Sequence, residues 1–297
     1  MILRRNLLLG AAALSAPAQS KKIAPVGKGM SFYYGEEWDK PFLYPLRTVS
    51  GRVVCRRYPV ETVPGEETDH VWHRGLWYGH GIINGHDFWR ELGRDKTARM
   101  IIEGEPKLKF SGVTAKFAMV TAAGERLGSM QQGFVTSDSG PLRFLDASLQ
   151  ILADQKGALT FGDTDDGGFA FRLSDQFRED RGARLRNAEG LEGTNKIWGQ
   201  ASRWVDYSAK IDGAATGVAI LDHPANLRHP TQWHARGYSL CAANPIASKS
   251  FSKGKGPDGA FTLAAGKSLS LRYRVLIHEG PFEPEQIESH YRKWALR

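Results

Sequence analysis

Cysteine is scarce in this sequence. Cys55 and Cys241 are the only two among 297 residues, which is too few for a disulfide scaffold. Both lie in stretches with strand character, and about 280 residues are enough to bury a large core without cross-links. We therefore predict two free, buried thiols, although export of the chain would also permit a bridge between them.

An apolar run long enough to cross a bilayer, which needs ~20 residues, is also missing. The run Leu7–Leu14 is too short, but it follows Arg4–Arg5 and precedes Ala16–Ala18, which is the order of a secretory signal. We predict a signal peptide over residues 1–18, cleaved after Ala18, and an exported mature chain, periplasmic or extracellular, without a transmembrane segment. The arginine pair favours the twin-arginine route over an ordinary secretory signal.

No region concentrates charge of one sign. The formal net charge is +8, and it falls to +6 when residues 1–18 are removed with their two arginines. The basic residues are scattered and form no Lys/Arg run, so a nucleic-acid partner is not expected. The sequence also has no P-loop, no G-x-G-x-x-G after a strand and no G-x-S-x-G. These absences disfavour nucleotide-dependent enzymes and serine hydrolases.

Helix signals are few, whereas alternation of apolar and polar residues is frequent. The stretch "SLSLRYRVLIH" places the apolar residues from Leu269 to Ile277 on one face, which is the period-two pattern of a half-buried strand. Other stretches rich in β-branched and aromatic residues are "LRFLDASLQILA", "GRVVCRRYP", "KLKFSGVTAKFAMV", "GFAFRL", "SRWVDYSAKI" and "TGVAILDHP". This pattern predicts an all-β fold, a large antiparallel β-sandwich.

The clearest helical pattern lies at the end of the chain, in "EPEQIESHYRKWAL". Pro284 occupies a first-turn position, and Ile287, Tyr291 and Trp294 recur at helical spacing. We predict one short C-terminal helix that packs these three side chains against the sandwich.

The chain shows no internal repeat and no Pro/Ser-rich linker. Residues 19–29 contain three lysines and are interpreted as a flexible lead-in. Because large all-β domains reach this size, residues 30–297 are predicted to form a single β-sandwich domain.

Histidine is concentrated in two stretches. The first, "DHVWHRGLWYGHGIINGHDFW", runs from Asp69 to Trp89, and the second, "LDHPANLRHPTQWHARGY", runs from Leu221 to Tyr238. Together they hold seven of the nine histidines, which random placement would rarely produce. We predict that the two segments meet in one concave site, with His80 and His223 within about 10 Å of each other.

The composition of these segments suits acid–base chemistry on a polar, ring-shaped substrate. Histidine changes charge near neutral pH, arginine holds carboxylates and developing oxyanions, and tryptophan stacks on the C–H faces of sugar rings. The predicted proton-transfer and charge-stabilising residues are His73, Arg74, His80, Asp222, His223 and His234. The predicted substrate-binding residues are His70, Trp72, Asn84, Asp87, Trp89, Arg172, Asn226, Arg228, Trp233 and Arg236.

A cofactor is not specified by these motifs. The spacing His70-x2-His73-x6-His80 matches neither the H-E-x-x-H pattern nor a zinc finger. Neutral imidazoles from both segments could still converge on a divalent metal, whose identity the sequence leaves open.

The two histidine segments, together with "KPFLYPLRTVSGRVVCRRYP", "DGGFAFR" and "RYRVLIHEG", resemble a bacterial family labelled "methane oxygenase PmoA". The arrangement is also similar to the galactose-mutarotase type of supersandwich. The resemblance implies an exported β-sandwich protein associated with carbohydrate breakdown. Its motif positions here are Asp69, His70, His73, Arg74, His80, Asn84 and Asp87, then Asp222, His223, Pro224, Asn226, Trp233 and His234.

The sequence therefore predicts a carbohydrate-active enzyme that uses His/Asp acid–base chemistry on a saccharide, by epimerisation, elimination or hydrolysis. One alternative is a non-catalytic carbohydrate-binding module, which would need the aromatic residues and not the histidines. The other alternative is a metal-dependent oxidase or oxygenase, as the family label suggests.

Overall fold

In a computed structural model, which describes residues 22–296, the chain forms eighteen strands and three α-helices. The strands are β1 (Ile23–Pro25), β2 (Ser31–Tyr33), β3 (Phe42–Tyr44), β4 (Leu76–His80), β5 (Arg99–Ile102), β6 (Lys107–Lys109), β7 (Gly112–Val120), β8 (Arg126–Ser139), β9 (Leu142–Leu152), β10 (Leu159–Phe161), β11 (Gly167–Arg172), β12 (Arg184–Asn187), β13 (Trp204–Ile211), β14 (Ala214–Asp222), β15 (Gln232–Ala235), β16 (Leu240–Asn244), β17 (Phe261–Leu263) and β18 (Ser268–Glu279). The helices are α1 (Thr194–Ile197), α2 (Ser248–Phe251) and α3 (Pro284–Ala295), with short 3-10 turns at Asp175–Phe177 and Glu179–Arg181.

The strands form two large sheets in which every pairing is antiparallel. The seven-stranded sheet has the order β1-β2-β3-β4-β11-β16-β15. The nine-stranded sheet has the order β12-β13-β14-β18-β9-β8-β7-β5, with β6 paired to β7. A separate two-stranded ribbon joins β10 to β17. The predicted antiparallel sandwich with a C-terminal helix is confirmed.

The core lies between the two large sheets. Phe169 of the seven-stranded sheet stacks on Tyr273 of the nine-stranded sheet, with ring centroids 4.7 Å apart. On β18, the predicted apolar face from Leu271 to Ile277 is turned into this core. Cys55 and Cys241 are both buried and free, as predicted, because each fills space in the apolar core.

Register decides which side chains the seven-stranded sheet presents on its outer face. Phe169, whose ring meets Tyr273, lies on the inner face. Tyr78 and Trp233 are in the same register and share that face. The next row of paired residues therefore points to the outer face, because successive strand residues point to opposite faces. It contains Trp77, Ala170, Ala242 and His234, so that a tryptophan of the first histidine segment and a histidine of the second share one face.

Helix α3 packs on the outer face of the nine-stranded sheet. Glu283 and Gln286 form a capping box, and Pro284 opens the first turn. Ile287, Tyr291 and Trp294 are buried, as the helical spacing predicted. Within residues 22–296, no helix combines the length and the apolarity needed to cross a bilayer.

Two local predictions were wrong. The segment "GRVVCRRYP" forms no strand: Val53 and Cys55 make only isolated bridges, although Val54 and Cys55 are fully buried. The lead-in is not loose throughout, because β1 pairs with β2 and the side chains of Ala24 and Val26 are buried. The predicted signal peptide, residues 1–18, lies outside the described residues.

Candidate functional site

The loop before β4 is held by two fully buried arginines. Arg56 and Arg172 have no exposed surface, and both donate hydrogen bonds to Asp69 Oδ1, with Arg172 Nη2 at 2.9 Å. Arg56 also donates to the carbonyl oxygens of His70 and His73, at 2.9 and 3.2 Å. Burial alone would raise the pKa of Asp69, but Arg172, His70 and Arg56 outweigh it and lower that pKa. The carboxylate is therefore ionised and clamps the loop.

Four rings form a column that runs from the core to the surface. Trp77 stacks on His73 at 5.2 Å, His73 stacks on His70 at 4.7 Å, and His70 stacks on Tyr238 at 5.7 Å. Tyr238 belongs to the second histidine segment, so this column is a direct contact between the two segments. Arg172 lies 4.8 Å from the centre of the Tyr238 ring and supports its outer end.

His70 is the exposed histidine of this column. Its side chain is 37% exposed, and its Nδ1 lies 2.9 Å from Asp69 Oδ2, although the oxygen is off the line of the N–H bond. The backbone of His70 is in the left-handed region, with φ of 42°. Such a conformation costs of order 1–3 kcal/mol in a non-glycine residue and occurs preferentially at functional sites. Asp69 and the bonds from Arg56 hold the imidazole in this position.

His73, expected to transfer protons, is 2% exposed and lies behind His70. Burial, with a further contribution from Arg172, holds its pKa well below the ordinary value of 6.5. Arg172 Nη1 lies 3.4 Å from His73 Nδ1, so that nitrogen is the acceptor and the ring is neutral. His73 therefore supports the column and does not reach the surface.

The second segment contributes His234 and Arg236. His234 Nδ1 donates to the carbonyl of Asp165 at 2.7 Å, and its Nε2 accepts from Arg236 Nε at 2.8 Å. Burial and Arg236 lower the pKa of His234 to about 4, so the ring is neutral near pH 7. With both nitrogens engaged, His234 positions Arg236, whose guanidinium lies 5.0 Å from the ring of Trp198.

A second carboxyl group with a shifted pKa, that of Asp166, lies near Tyr238. Burial raises the pKa of Asp166, Arg90 lowers it and Asp165 raises it, so that the pKa is above its ordinary value. Arg90 Nε donates to Asp166 Oδ2 at 3.0 Å. Burial raises the pKa of Tyr238, and the charges of Asp166 and Asp69 raise it further, so both carboxyls lie near that ring.

A cleft of about 450 Å³ borders the column. Arg236 and Tyr238 form one wall, and the other wall comes from the second 3-10 turn and the start of α1. The remaining polar residues of the cleft are Arg178, Glu179, Asp180, Thr194 and Asn195. The site that the structure assembles thus consists of His70 and Asp69, the Tyr238 and Arg236 wall, and this cleft.

Several predicted site residues have structural contacts instead. Arg74 pairs with Glu91, which also binds buried Lys40. His80 Nε2 lies 2.8 Å from the carbonyl of Gly162, and burial lowers its pKa to about 4, so it is a neutral donor inside the fold.

Asn84 and Asp87, predicted to bind substrate, also have structural contacts. Asn84 has a φ of 50°, and its side chain bonds the backbone of Ala158 and Thr160, so it joins its turn to the start of β10. Asp87 Oδ1 accepts from the backbone of Trp89 and Arg90.

Of the three tryptophans predicted to bind a substrate, one has a partly exposed side chain. Trp72 is partly exposed and meets the edge of His70 at 5.5 Å. Trp89 and Trp233 are fully buried in the core, so neither presents a face to a ligand. Trp233 Nε1 donates to the carbonyl of Ser202 at 2.8 Å, which anchors the ring inside the sandwich.

The first half of the second segment lies elsewhere, beneath α3. Asp222 is fully buried and accepts from His229 Nδ1, Asn226 Nδ2 and Thr231 N, each at 2.7–2.9 Å. His223 packs edge-on against Trp294 at 5.0 Å, and its pKa is lowered by burial and by Arg272.

His80 and His223 bind different parts of the fold. His80 contacts Gly162 and Phe161, whereas His223 contacts Ala225 and Trp294. Arg228 donates to the carbonyls of Pro245, Gly259 and Ala260, and so joins loops. Asp222, Asn226 and His223 stabilise the fold beneath α3.

Sequence reasoning missed three residues of the site. Arg56 lies in a segment interpreted as a strand, and Trp198 lies in no motif. Tyr238 closes the second histidine segment, so the segment itself was the available signal. Among residues 22–296, no group of three or more His, Cys, Asp or Glu side chains is arranged to hold a metal ion.

Comparison with curated protein sequences gives no match. Among solved structures, the Slr1438 protein of Synechocystis sp. PCC 6803 is 11% identical with a TM-score of 0.32, over 61% of this chain and 66% of that protein. An alpha-galactosidase, AgaA, from Geobacillus stearothermophilus, solved with raffinose, is 11% identical with a TM-score of 0.34, over 88% of this chain and 41% of that enzyme.

A galactose mutarotase-like protein from Clostridium acetobutylicum is 10% identical with a TM-score of 0.30, over 84% of this chain and 95% of that protein. A family model described as a family of unknown function, DUF6807, matches residues 28–292. That description does not contain the methane oxygenase label, which stays a prediction. The match spans nearly the whole described chain, and the protein therefore belongs to the DUF6807 family.

Proposed function

We propose that this protein is a carbohydrate-active enzyme that transfers a proton to or from a saccharide, and that His70 is the proton-transfer residue. The position of His70 carries the proposal. It is the exposed histidine of the ring column, stacked between His73 and Tyr238, it is paired with Asp69, and its neighbour Tyr238 lines the cleft. An imidazole backed by a carboxylate and open to solvent is suited to general acid–base catalysis.

The neighbouring groups have separate roles in this proposal. Asp69 orients the imidazole and stabilises its charged form, while neutral His73 supports it from behind without adding a positive charge. Arg236 and the Tyr238 hydroxyl supply hydrogen bonds to substrate hydroxyls or to a developing oxyanion. Trp72, partly exposed beside His70, offers an apolar surface for a sugar ring.

Two carboxyl groups near Tyr238 have opposite pKa shifts. The pKa of Asp69 is lowered, whereas that of Asp166 is raised by burial. Groups whose environments push their pKa values apart are suited to complementary roles as base and acid. The Asp69–His70 pair would accept a proton, and epimerisation, elimination and hydrolysis each need a proton acceptor as well as a proton donor.

The cleft favours a small polyhydroxylated ligand. Its volume of about 450 Å³ falls within the usual range of ligand sites. Its walls supply carboxylate, guanidinium, amide and hydroxyl groups, which match the hydroxyls of a saccharide better than they match a lipid. We propose a saccharide, or another small polar molecule of similar size, as the ligand.

Substitution of His70 tests the role of this residue directly. We expect that His70→Gln lowers turnover of a responsive oligosaccharide by about 10²–10⁴-fold, the usual contribution of a general acid or base. The melting temperature should change little, because the side chain is partly exposed. The measurement is a product screen over oligosaccharides, with His86→Gln as a matched control in the same segment.

Two outcomes would contradict the enzymatic role. Full activity of His70→Gln would remove His70 from the mechanism. Saccharide binding without any product, abolished by Trp72→Ala and retained by His70→Gln, would identify a non-catalytic binding module instead.

The proposal includes export of the chain. We expect exported protein to begin at Gln19, after cleavage behind Ala18, and replacement of both Arg4 and Arg5 by lysine to block export by the twin-arginine route. Mass spectrometry of the exported fraction checks both expectations. An intact Met1 would contradict cleavage, and unchanged export of the lysine variant would indicate the ordinary secretory route.

A further inference from the structure

A second cleft, of about 360 Å³, lies on the opposite sheet from the ring column. It is bounded by the start of β12, the ends of β13 and β14 that meet at their hairpin, and the loop between β18 and α3. The ionisable side chains of its wall are Arg181, Arg184, Arg186, Lys210, His278 and Glu283. Four of these six carry a fixed positive charge and only Glu283 is acidic.

Arg186 forms the floor of this cleft. It is 6% exposed, and its Nη2 donates to Asp206 Oδ2 at 3.1 Å and to the carbonyl of Phe282 at 3.0 Å. Its Nε is buried and has no hydrogen-bond partner among residues 22–296. A buried guanidinium N–H without an acceptor is costly, so the Arg186 guanidinium that lines the cleft is not fully satisfied by its protein partners.

The acidic groups near the floor are already engaged. Asp206 Oδ1 lies 3.1 Å from His278 Nε2, and its Oδ2 accepts from Arg186. Gly217 leaves room for the His278 ring, because a Cβ there would lie 2.1 Å from it. Glu283 caps α3 and pairs with Arg186 at 3.4 Å. These carboxylates compensate the charge of Arg186 and leave the cationic side chains at the mouth of the cleft available to a ligand.

The outer cations are weakly committed. Lys210 is exposed and forms no ion pair with any residue of the described chain 22–296. Arg184 pairs with Glu192, but both side chains are more than half exposed. Arg181 lies 3.5 Å from Asp175. Exposed pairs such as Arg184–Glu192 contribute little stability, so Arg184 can exchange its carboxylate partner for a ligand.

We propose that this cleft binds a small oxyanion, a carboxylate, sulfate or phosphate group, between Arg186 on the floor and Arg184 and Lys210 at the mouth. Charge-assisted hydrogen bonds from arginine and lysine to such groups are short and strong. The site does not depend on the function proposed for His70. The ligand class is an acidic small molecule or the acidic substituent of a saccharide.

Calorimetric titration of the full-length mature protein with sodium sulfate, sodium phosphate and sodium glucuronate, at constant ionic strength, tests this proposal. We expect saturable binding of at least one of the three, and its identity distinguishes sulfate, phosphate and carboxylate sources. Lys210→Ala and Arg184→Ala should each weaken that binding by about fivefold or more. Both side chains are exposed, so the variants are expected to fold.

Lys267→Ala is the matched control, because Lys267 is exposed in the turn between β17 and β18 and its removal changes the net charge equally. Its affinity should equal that of the unmodified protein. Absence of saturable binding for all three anions would overturn the proposal. Equal weakening by Lys267→Ala would also overturn it, since binding would then reflect net charge alone. No effect of Lys210→Ala and Arg184→Ala would overturn it as well, since the anion would then bind elsewhere.

Discussion

Replacement of Asp69 by alanine is expected to lower the free energy of unfolding by about 3–5 kcal/mol, the cost of leaving buried charges without a partner. Arg56 and Arg172 have no exposed surface, and Asp69 is the carboxylate that binds both. Asp69→Asn should destabilise in the same direction, because it keeps the size of the side chain and removes the charge. Urea unfolding monitored by tryptophan fluorescence measures the change.

A matched control removes a carboxylate that also binds arginine but lies at the surface. Asp180 pairs with Arg178 and is largely exposed, so Asp180→Ala should leave the unfolding midpoint almost unchanged. Equal stability of Asp69→Ala and Asp180→Ala would show that the buried arginines do not depend on Asp69. The interpretation that Asp69 holds the loop before β4 through Arg56 and Arg172 would then be wrong.

The protein is expected to lose stability as the pH falls from about 6.5 towards 4. His80 and His234 have pKa values of about 4 in the folded chain, against an ordinary value of 6.5. The unfolded chain therefore binds protons in this interval that the folded chain does not, and unfolding becomes easier. At pH 5 each histidine accounts for about 2 kcal/mol by this linkage. His73 acts in the same direction.

Urea unfolding at pH 7 and at pH 5 measures this loss. In His80→Gln, where the amide can still donate to Gly162, the difference between the two pH values should be about 2 kcal/mol smaller than in the unmodified protein. His234→Gln should have a similar effect. An unchanged difference in both variants would mean that other groups cause the acid sensitivity.

The fold could be predicted from local pattern wherever a long element has one buried face. On β18 the alternation from Leu271 to Ile277 is the alternation that the sandwich buries. On α3 the positions of Ile287 and Trp294 already define the buried stripe. In both elements, the residues that the local periodicity places on one face are the residues that the fold buries.

Prediction failed where pairing depends on distant partners. The segment around Val53 and Cys55 has the composition of a strand, yet these residues meet only Arg47 and Leu173 as single bridges. Conversely, β1 is a strand because β2 offers it an edge. A strand needs a neighbour, and composition alone does not supply one.

The site could be predicted to the level of its segments but not of its residues. The first segment holds His70 and the second holds Tyr238, and the structure stacks them. Composition does not distinguish an exposed imidazole from a buried one, so His73 and His234 were expected to react, whereas burial keeps them neutral. Nor does it show that Trp233 is in the core.

The most direct test of the central claim is an NMR titration of protein labelled at its histidine rings with cellotriose, xylotriose and galactotriose. If the saccharide site lies beside His70 and Tyr238 of the ring column, the His70 signals will shift saturably with at least one of these oligosaccharides. Those of His223, which packs against α3 at Trp294, will not move. Saturable shifts at His223 with none at His70 would contradict the claim, as would the absence of any shift at His70 with all three oligosaccharides.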